Sequence, residues 1–336
     1  MASSVSTDQR QGLLAHARKV VQQLQQRLRF AVRGRDEVID LILVALLADG
    51  HVLLEDHPGS GKTTLAKALG DSILDTQHEG HIESFRRVQF TPDLLPSDVT
   101  GVSVFDPQTQ GFHFRPGPIF AHVLLADEIN RTSPKVQSAL LEAMAEKQVT
   151  VDNVTYPLDD LFFVIATQNP RDQVGTYPLP VAQLDRFLFK IRMDYIERSA
   201  ELDVLKSYRD RRQHAPSDVP QVSRDALVEA RTIIDEHVYI DPRLNDCLVD
   251  AAANLRKSSQ VAQGVSTRSL VLLLPALQAL AFMSGRDFVI PEDIAKLAPH
   301  VFSHRLELAP GVEDAHEVVR SALKGPLETL SRSTMR

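Results

Sequence analysis

Apolar positions along this chain follow two regimes. In residues 11–29, Leu13, Leu14, Ala17, Val20, Val21, Leu24 and Leu28 recur at helical spacing, which predicts an amphipathic helix. The segment Val32-Arg33-Gly34-Arg35-Asp36 breaks it, and Asp36 is placed to cap a second helix through Leu47. Short β-type runs then alternate with helical ones, at 51–55, 86–90, 122–127, 162–167 and 187–191. Such alternation predicts an α/β fold, a parallel sheet covered by helices on both faces. The unbroken Val123-Leu124-Leu125-Ala126 fits a strand buried on both sides.

Two interruptions of this pattern read as hairpins. Val102 and Val104, then Phe112 and Phe114, alternate on either side of 106–111. Val149 and Val151, then Val154 and Tyr156, flank the two-residue turn Asp152-Asn153. From about residue 197 the strand signal stops, and 223–236, 244–258, 267–283 and 291–298 read as helices, with 213–221 as a loop. The expected organisation is an N-terminal helix at 1–29, an α/β core at 30–196 with hairpin insertions at about 101–114 and 148–157, and a mostly helical domain at 197–336.

Bulk composition narrows the class. With 43% hydrophobic and 24% charged residues, the 336-residue chain has the make-up of an ordinary soluble protein with room for two domains. A net charge of −7 argues against a general nucleic-acid binder. The single Cys247 excludes an intrachain disulfide frame, fits a reducing cytoplasm and reads as a small buried hydrophobe. Met1–Arg10 is polar and lacks a signal peptide, and the longest apolar run, 270–283, is too short to span a bilayer and contains Pro275. His78 and His81 stand three apart in a polar stretch that reads as solvated loop rather than a metal site.

The chemistry begins at 52–64, Val-Leu-Leu-Glu-Asp-His-Pro-Gly-Ser-Gly-Lys-Thr-Thr. An apolar run ending in a Pro/Gly loop and Gly61-Lys62-Thr63 has the layout of a phosphate-binding loop between a strand and a helix. Backbone N–H groups of 59–63 would wrap a triphosphate at the helix N-terminus, Lys62 would reach the β- and γ-phosphates, and Thr63 would take a position on Mg²⁺. Asp56 stands where the full pattern has glycine, and its carboxylate is expected to point away from phosphate. Downstream, the run ending in Asp127-Glu128 supplies one carboxylate for a Mg²⁺ shell and one to orient and deprotonate water. The strand Phe162–Thr167 runs into Gln168-Asn169-Pro170, and Asn169 would lie near the γ-phosphate if that strand neighbours the Asp127 strand. In Leu184-Asp185-Arg186-Phe187, Arg186 is either a guanidinium for a neighbour's site or half of a surface pair with Asp185. In Gly264-Val265-Ser266-Thr267-Arg268, Ser266 or Thr267 can cap a helix. Arg268 opposes that helix's dipole, which suggests an anion nearby.

These residues resemble the AAA+ ATPases and, within them, the MoxR family. Further family-like wording includes Phe90-Thr91-Pro92-Asp93-Leu94-Leu95-Pro96-Ser97-Asp98, Phe114-Arg115-Pro116-Gly117-Pro118-Ile119-Phe120-Ala121, Asp127-Glu128-Ile129-Asn130-Arg131, and His304-Arg305. The resemblance spans roughly residues 30–306 and departs at Asp56 and at Thr267, where the family often has proline. It implies an AAA+ P-loop core followed by a smaller all-α lid. ATP and Mg²⁺ would sit at the phosphate loop, on Pro58, Gly59, Ser60, Gly61, Lys62, Thr63 and Thr64, with Arg33 and Gly34 beside the adenine. Lys62, Glu128, Asn169, Arg186 and Arg268 would act on the nucleotide, with Thr63 and Asp127 on the metal. Arg186 would serve as arginine finger in a neighbouring subunit, and Arg268 would report nucleotide state from the lid. The implied assembly is a ring, usually hexameric. It acts as a chaperone on a client protein, often beside a partner bearing a von Willebrand factor A domain, and sometimes assists metal or cofactor insertion.

Two other functions compete. A nucleic-acid motor needs basic hairpin tips, and the tips here, 106–110 and Asp152-Asn153, are neutral or acidic. A nucleotide-gated scaffold with little turnover would not need Asp127, Glu128, Asn169 and Arg186 together.

Overall fold

Helix α1 (Thr7–Ala31) carries the expected stripe, with Leu14, Ala17, Val20, Val21, Leu24 and Leu28 all buried. The computed structural model describes residues 7–56, 60–75, 82–169, 175–207 and 218–334. After α2 (Asp36–Leu47) come β1 (Val52–Asp56), α3 (Lys62–Gly70), β2 (Ile73–Leu74), β3 (Glu83–Gln89), α4 (Pro96–Thr100), β4 (Gly101–Asp106), β5 (Gly111–Pro116), β6 (Ala121–Asp127) and α5 (Pro134–Glu146). Then follow β7 (Gln148–Val151), β8 (Val154–Pro157), β9 (Phe163–Gln168), α6 (Val181–Leu184), β10 (Phe189–Met193) and α7 (Arg198–Lys206). The last part holds β11 (Val222–Ser223), α8 (Arg224–His237), α9 (Pro242–Lys257), β12 (Val261–Gln263), α10 (Thr267–Met283), α11 (Pro291–Phe302), β13 (Glu307–Leu308) and α12 (Ala315–Thr334).

The five expected runs form one parallel sheet in the order β10-β1-β9-β6-β3. Alternate residues feed two cores. Val123, Leu125, Phe163 and Ile165 join the core built with α1, α2 and the C-terminal helices, whereas Leu124, Ala126, Val164 and Ala166 join the core under α5. The fold is thus a parallel α/β core followed by a helical lid. Both hairpins are present. Asp152 and Asn153 have φ of 50° and 64°, the left-handed pair that a tight two-residue turn needs. The ring of Phe114 stacks on Tyr156 with centroids 3.9 Å apart, so the two hairpins lean on each other.

Several expectations are corrected. Asp36 is the first residue of α2 rather than its cap, and its carboxylate pairs with Arg29 at 2.9 Å. Strand signal does not end at residue 197, because β11 pairs with β2 and β12 with β13. Strands of two or three residues are too short to show a period. Helices α7 and α12 add to the four expected; in α12 the stripe Val318, Val319, Leu323 and Leu330 is interrupted by Gly325 and Pro326. Segments 76–81, with His78 and His81, and 208–217 lie outside the described residues. Among the described residues no helix is long and apolar enough to cross a membrane, and no cluster of three or more potential metal ligands occurs. Cys247 is buried, and burial pushes its thiol up to about 11, an inert core position.

A polar seam joins lid to core. His122, fully buried at the start of β6, places Nε2 3.0 Å from Asp75 and Nδ1 3.4 Å from Asp159. Arg224 of α8 donates to Asp159 at 3.1 Å, and Arg231 of the same helix donates to Asp49 at 2.8 Å and to the Leu46 carbonyl. Burial alone would raise the Asp159 pKa; contacts from His122, the Leu161 N–H and Arg224 outweigh it and hold the carboxyl well below the usual range. A depressed carboxylate stabilises the fold above its unfolded pKa of about 3.9 and loses that contribution as pH falls toward its folded value. Asp159→Asn should therefore cost on the order of 2–3 kcal/mol at pH 7. The deficit should shrink as the parent is taken below about pH 4. Urea midpoints of both proteins from pH 2 to 7 test this, and a deficit independent of pH would refute the ionic account.

Candidate active site

The parallel register gathers the candidate residues at one edge of the sheet. Strand β1 ends at Asp56, and helix α3 begins at Lys62 after Gly61. Gly61 has φ of 94°, a left-handed geometry that favours glycine and turns the chain into the helix. Thr63 and Thr64 are exposed in the first turn of α3, where backbone N–H groups lack helical partners. Ser60 Oγ is buried and has no hydrogen-bond partner among the described residues. Pro58 and Gly59, and the side chain of Asp56, lie outside what is described.

Beside this loop is a cavity of about 570 Å³ lined in part by Arg33, Gly61, Thr64, Tyr195, Ile196 and Leu205. Its polar loop and apolar far wall suit a phosphate tail and a flat base. Gly34 is absent from the lining and packs behind it. Its φ is 70°, and an added Cβ would lie 2.5 Å from the Ala200 Cβ of α7, so only glycine lets the turn approach that helix.

Strand β9 lies between β1 and β6, which puts Asn169, the residue after β9, between the loop and the acidic pair. Thr167 joins the two strands chemically: its Oγ1 donates to Asp127 Oδ1 at 2.7 Å and accepts the Glu128 N–H at 2.9 Å. Glu128 has φ of 57°, a left-handed conformation that costs a non-glycine residue roughly 1–2 kcal/mol and that the Thr167 bond holds. Arg87 of β3 donates to the other oxygen of Asp127 at 2.6 Å. Glu128 accepts from Gln89 at 2.8 Å and pairs with Arg131 at 3.2 Å. Glu55 accepts from Gln168 and pairs with Lys190 at 2.8 Å, which ties β1, β9 and β10 together beside Asn169.

Arg186 and Arg268 lie elsewhere. Arg186 precedes β10, whose Phe189 pairs with Val52 at the start of β1, while the loop leaves β1 at Asp56. The length of β1, roughly 13 Å at 3.3 Å per residue, separates the two ends. Arg268, in the first turn of α10, reaches Asp185 at 3.5 Å and lines with Arg186 a small cavity that also touches His51 and Lys147. The anion expected near Arg268 is Asp185 of the same chain, and within one chain Arg268 does not lie at the phosphate loop. The reason is packing: α10 lies on α2 and α8, and α11 lies on β10. Nor do Asp185 and Arg186 form the alternative surface pair; Asp185 binds Arg305 at 2.6 Å. Ser266 is the cap of α10, accepting the Ser269 N–H. His51 is structural: burial pushes it down to about 4, Nε2 faces the Met144 carbonyl and Nδ1 accepts the Val164 N–H.

Comparison with known proteins agrees with this fold. Residues 51–189 match the model of the ATPase family associated with various cellular activities (AAA), and 253–322 match an AAA lid domain. Chaperone MoxR1 of Mycobacterium tuberculosis is 38% identical over 285 residues, covering 82% of this chain and 72% of that protein. The chain belongs to the MoxR family of AAA+ ATPases. YeaC of Bacillus subtilis, an uncharacterised protein, is 46% identical over 307 residues, covering 90% of this chain and 93% of its own. A crystal structure from Cytophaga hutchinsonii, assigned as an ATPase, superposes with a TM-score of 0.83 at 35% identity, covering 94% of this chain and 96% of that one.

Sequence reasoning passed over Thr167, Arg87, Gln89 and Arg131 as site residues. Thr167 had a signal, a lone hydroxyl at the end of an apolar run, but its meaning depends on which strand lies alongside. Thr167→Val keeps the shape while removing the donor to Asp127 and the acceptor for Glu128 N–H. It should cost about 1–3 kcal/mol, read as a lower urea midpoint at unchanged m-value. A midpoint within error of the parent would mean these groups find other partners.

Proposed function

We propose that this MoxR-family protein is a Mg²⁺-dependent ATPase whose active sites are completed between copies in a ring, hexameric as is usual in the family. Turnover would drive chaperone-like remodelling of a partner complex. The observation that carries this is the polarity of the sheet: loop and acidic pair at one edge, Arg186 and Arg268 at the other. Neither arginine serves its own chain's loop in this arrangement, and both suit a neighbour's.

The residues divide the work by position. Backbone N–H groups of 59–63 and the Lys62 ammonium bind the phosphates of ATP. The cavity beside Arg33 takes the base, with Gly34 keeping its wall close. Orphaned Ser60 Oγ, exposed Thr63 and the carboxylate of Asp127 fit a metal-bound triphosphate. Mg²⁺, held through Thr63 and Asp127, would neutralise charge between the β- and γ-phosphates. Glu128 orients the attacking water and accepts its proton, and its contacts to Gln89 and Arg131 fix where that carboxylate starts. Asn169 orients the water from the β9 side. Arg186 and Arg268 of an adjacent copy would stabilise charge on the transferring phosphoryl group.

The chaperone part rests on the M. tuberculosis relative being named a chaperone, and the family resemblance adds a partner bearing a von Willebrand factor A domain to the same proposal. Phe105 and Phe112, an exposed edge-on pair with centroids 5.3 Å apart on the first hairpin, give a client an apolar contact.

ATP turnover per subunit across a wide range of protein concentration tests the shared site. The rate should rise with concentration and saturate; a concentration-independent rate in a protein shown to be monomeric would exclude it. Glu128→Gln should lose about 10²–10⁴-fold in kcat while still binding ATP, measured by steady-state turnover and equilibrium nucleotide binding. Retained turnover would remove Glu128 from its role.

A further inference from the structure

The His304-Arg305 pair takes no part in the mechanism above, yet it is among the most constrained polar groups in the chain. Arg305 lies in the short 3₁₀ turn after α11 and is 4% exposed. Its guanidinium bridges the Val301 carbonyl of α11, to which Nη1 donates, and segment 185–188, the link between α6 and β10 that carries Arg186. Nε donates to Asp185 Oδ1 at 2.6 Å, Nη2 to the carbonyls of Asp185 and Phe187 at 3.1 and 2.8 Å, and Nη1 to the carbonyl of Leu188 at 3.2 Å. His304 Nε2 lies 3.0 Å from the Phe187 carbonyl. Burial disfavours the Arg305 charge, and the Asp185 carboxylate opposes that. The remaining oxygen of Asp185 faces Arg268 at 3.5 Å.

A planar fork with five donors can hold a carboxylate and several backbone carbonyls at once in fixed directions; an ammonium has three donors and no fixed fork. The backbone on both sides of Arg186 is therefore set by a lid residue. The same carboxylate that Arg305 grips also faces Arg268 with its other oxygen. Arg186 itself makes no ion pair among the described residues, so its direction depends on the backbone beneath it.

We propose that Arg305 is a positioning residue for the arginine pair, holding segment 185–188 so that Arg186 and, through Asp185, Arg268 meet a neighbouring copy's nucleotide in one fixed geometry. The inference rests on the shared-site reading above. It ties lid and finger segment into one rigid part, so the two arginines keep one relative geometry.

Mixed rings separate this role from plain structural support. Subunits carrying Glu128→Gln supply arginines but no working acid pair; subunits carrying Arg186→Ala supply the acid pair but no finger. Co-assembled in equal amounts they should recover ATP turnover that neither has alone. Arg305→Lys is then placed in one partner at a time. In the Glu128→Gln subunit it should lower kcat about 10–100-fold with little change in KM, as expected for a misplaced group. In the Arg186→Ala subunit it should leave turnover within about twofold, since there is no finger to position. Equal losses in both placements, or no loss in either, would overturn the positioning role while leaving the shared site intact. Failure of the parent mixture to recover turnover would overturn both. If thermal melting shows that Arg305→Lys subunits do not fold, Asp185→Asn in the same two placements gives the same discrimination.

Discussion

Parallel pairing of β1 with its neighbours is the constraint on which the rest depends. Five strands running one way give the sheet a polarity that a mixed sheet would lack. Three of the chain exits at one edge carry the site residues: Gly61-Lys62 after β1, Glu128 after β6 and Asn169 after β9. Every chain entry lies at the other edge, and Arg186 sits on an entry. A residue just before a strand and a loop just after its parallel neighbour cannot meet without leaving the chain. Pairing Val52 with Phe189 keeps Arg186 roughly the length of β1, about 13 Å, from its own chain's loop.

At the exit edge, order is imposed by few contacts. Thr167 is fully buried in an otherwise apolar strand, and its hydroxyl serves as both donor and acceptor across to β6. In so dry a setting an unmade hydrogen bond is costly, so both bonds form together or the strand end shifts. That fixes Asp127 and lets Glu128 keep its left-handed backbone. Arg87, Gln89 and Arg131 then occupy the outer faces of the two carboxylates, two of them from the edge strand β3. Charge at this edge is therefore nearly balanced before any nucleotide is considered.

Much of this was legible in the sequence, and the reasons differ by element. The five strands and both hairpins showed because continuous or alternating apolar runs survive burial on two faces or one. The Asp152-Asn153 turn showed because few residues accept two consecutive left-handed positions. The two-residue strands did not show, since a period needs more residues than they have. Helix α12 was hidden by Gly325 and Pro326, which its burial against α9 and α11 overrides. Arg268 and Arg305 were read as residues of a motif, but where a lid docks is decided by side chains more than a hundred positions away. A charged residue looks solvent-facing in a sequence. That Arg305 is buried follows only from the carbonyls of 187 and 188 and the carboxylate of Asp185 being presented to it.

The same docking limits how the molecule can move. Helix α1 packs on α8 of the lid and on α3 of the core, and its Arg27 donates to Ser72 while Arg10 pairs with Asp287. Arg231, Arg224 and Asp159 close the seam from the other side. Opening lid from core within one chain would separate the buried Arg224–Asp159 pair and wet a continuous apolar core that runs from Leu14 to Leu330, which holds the two together.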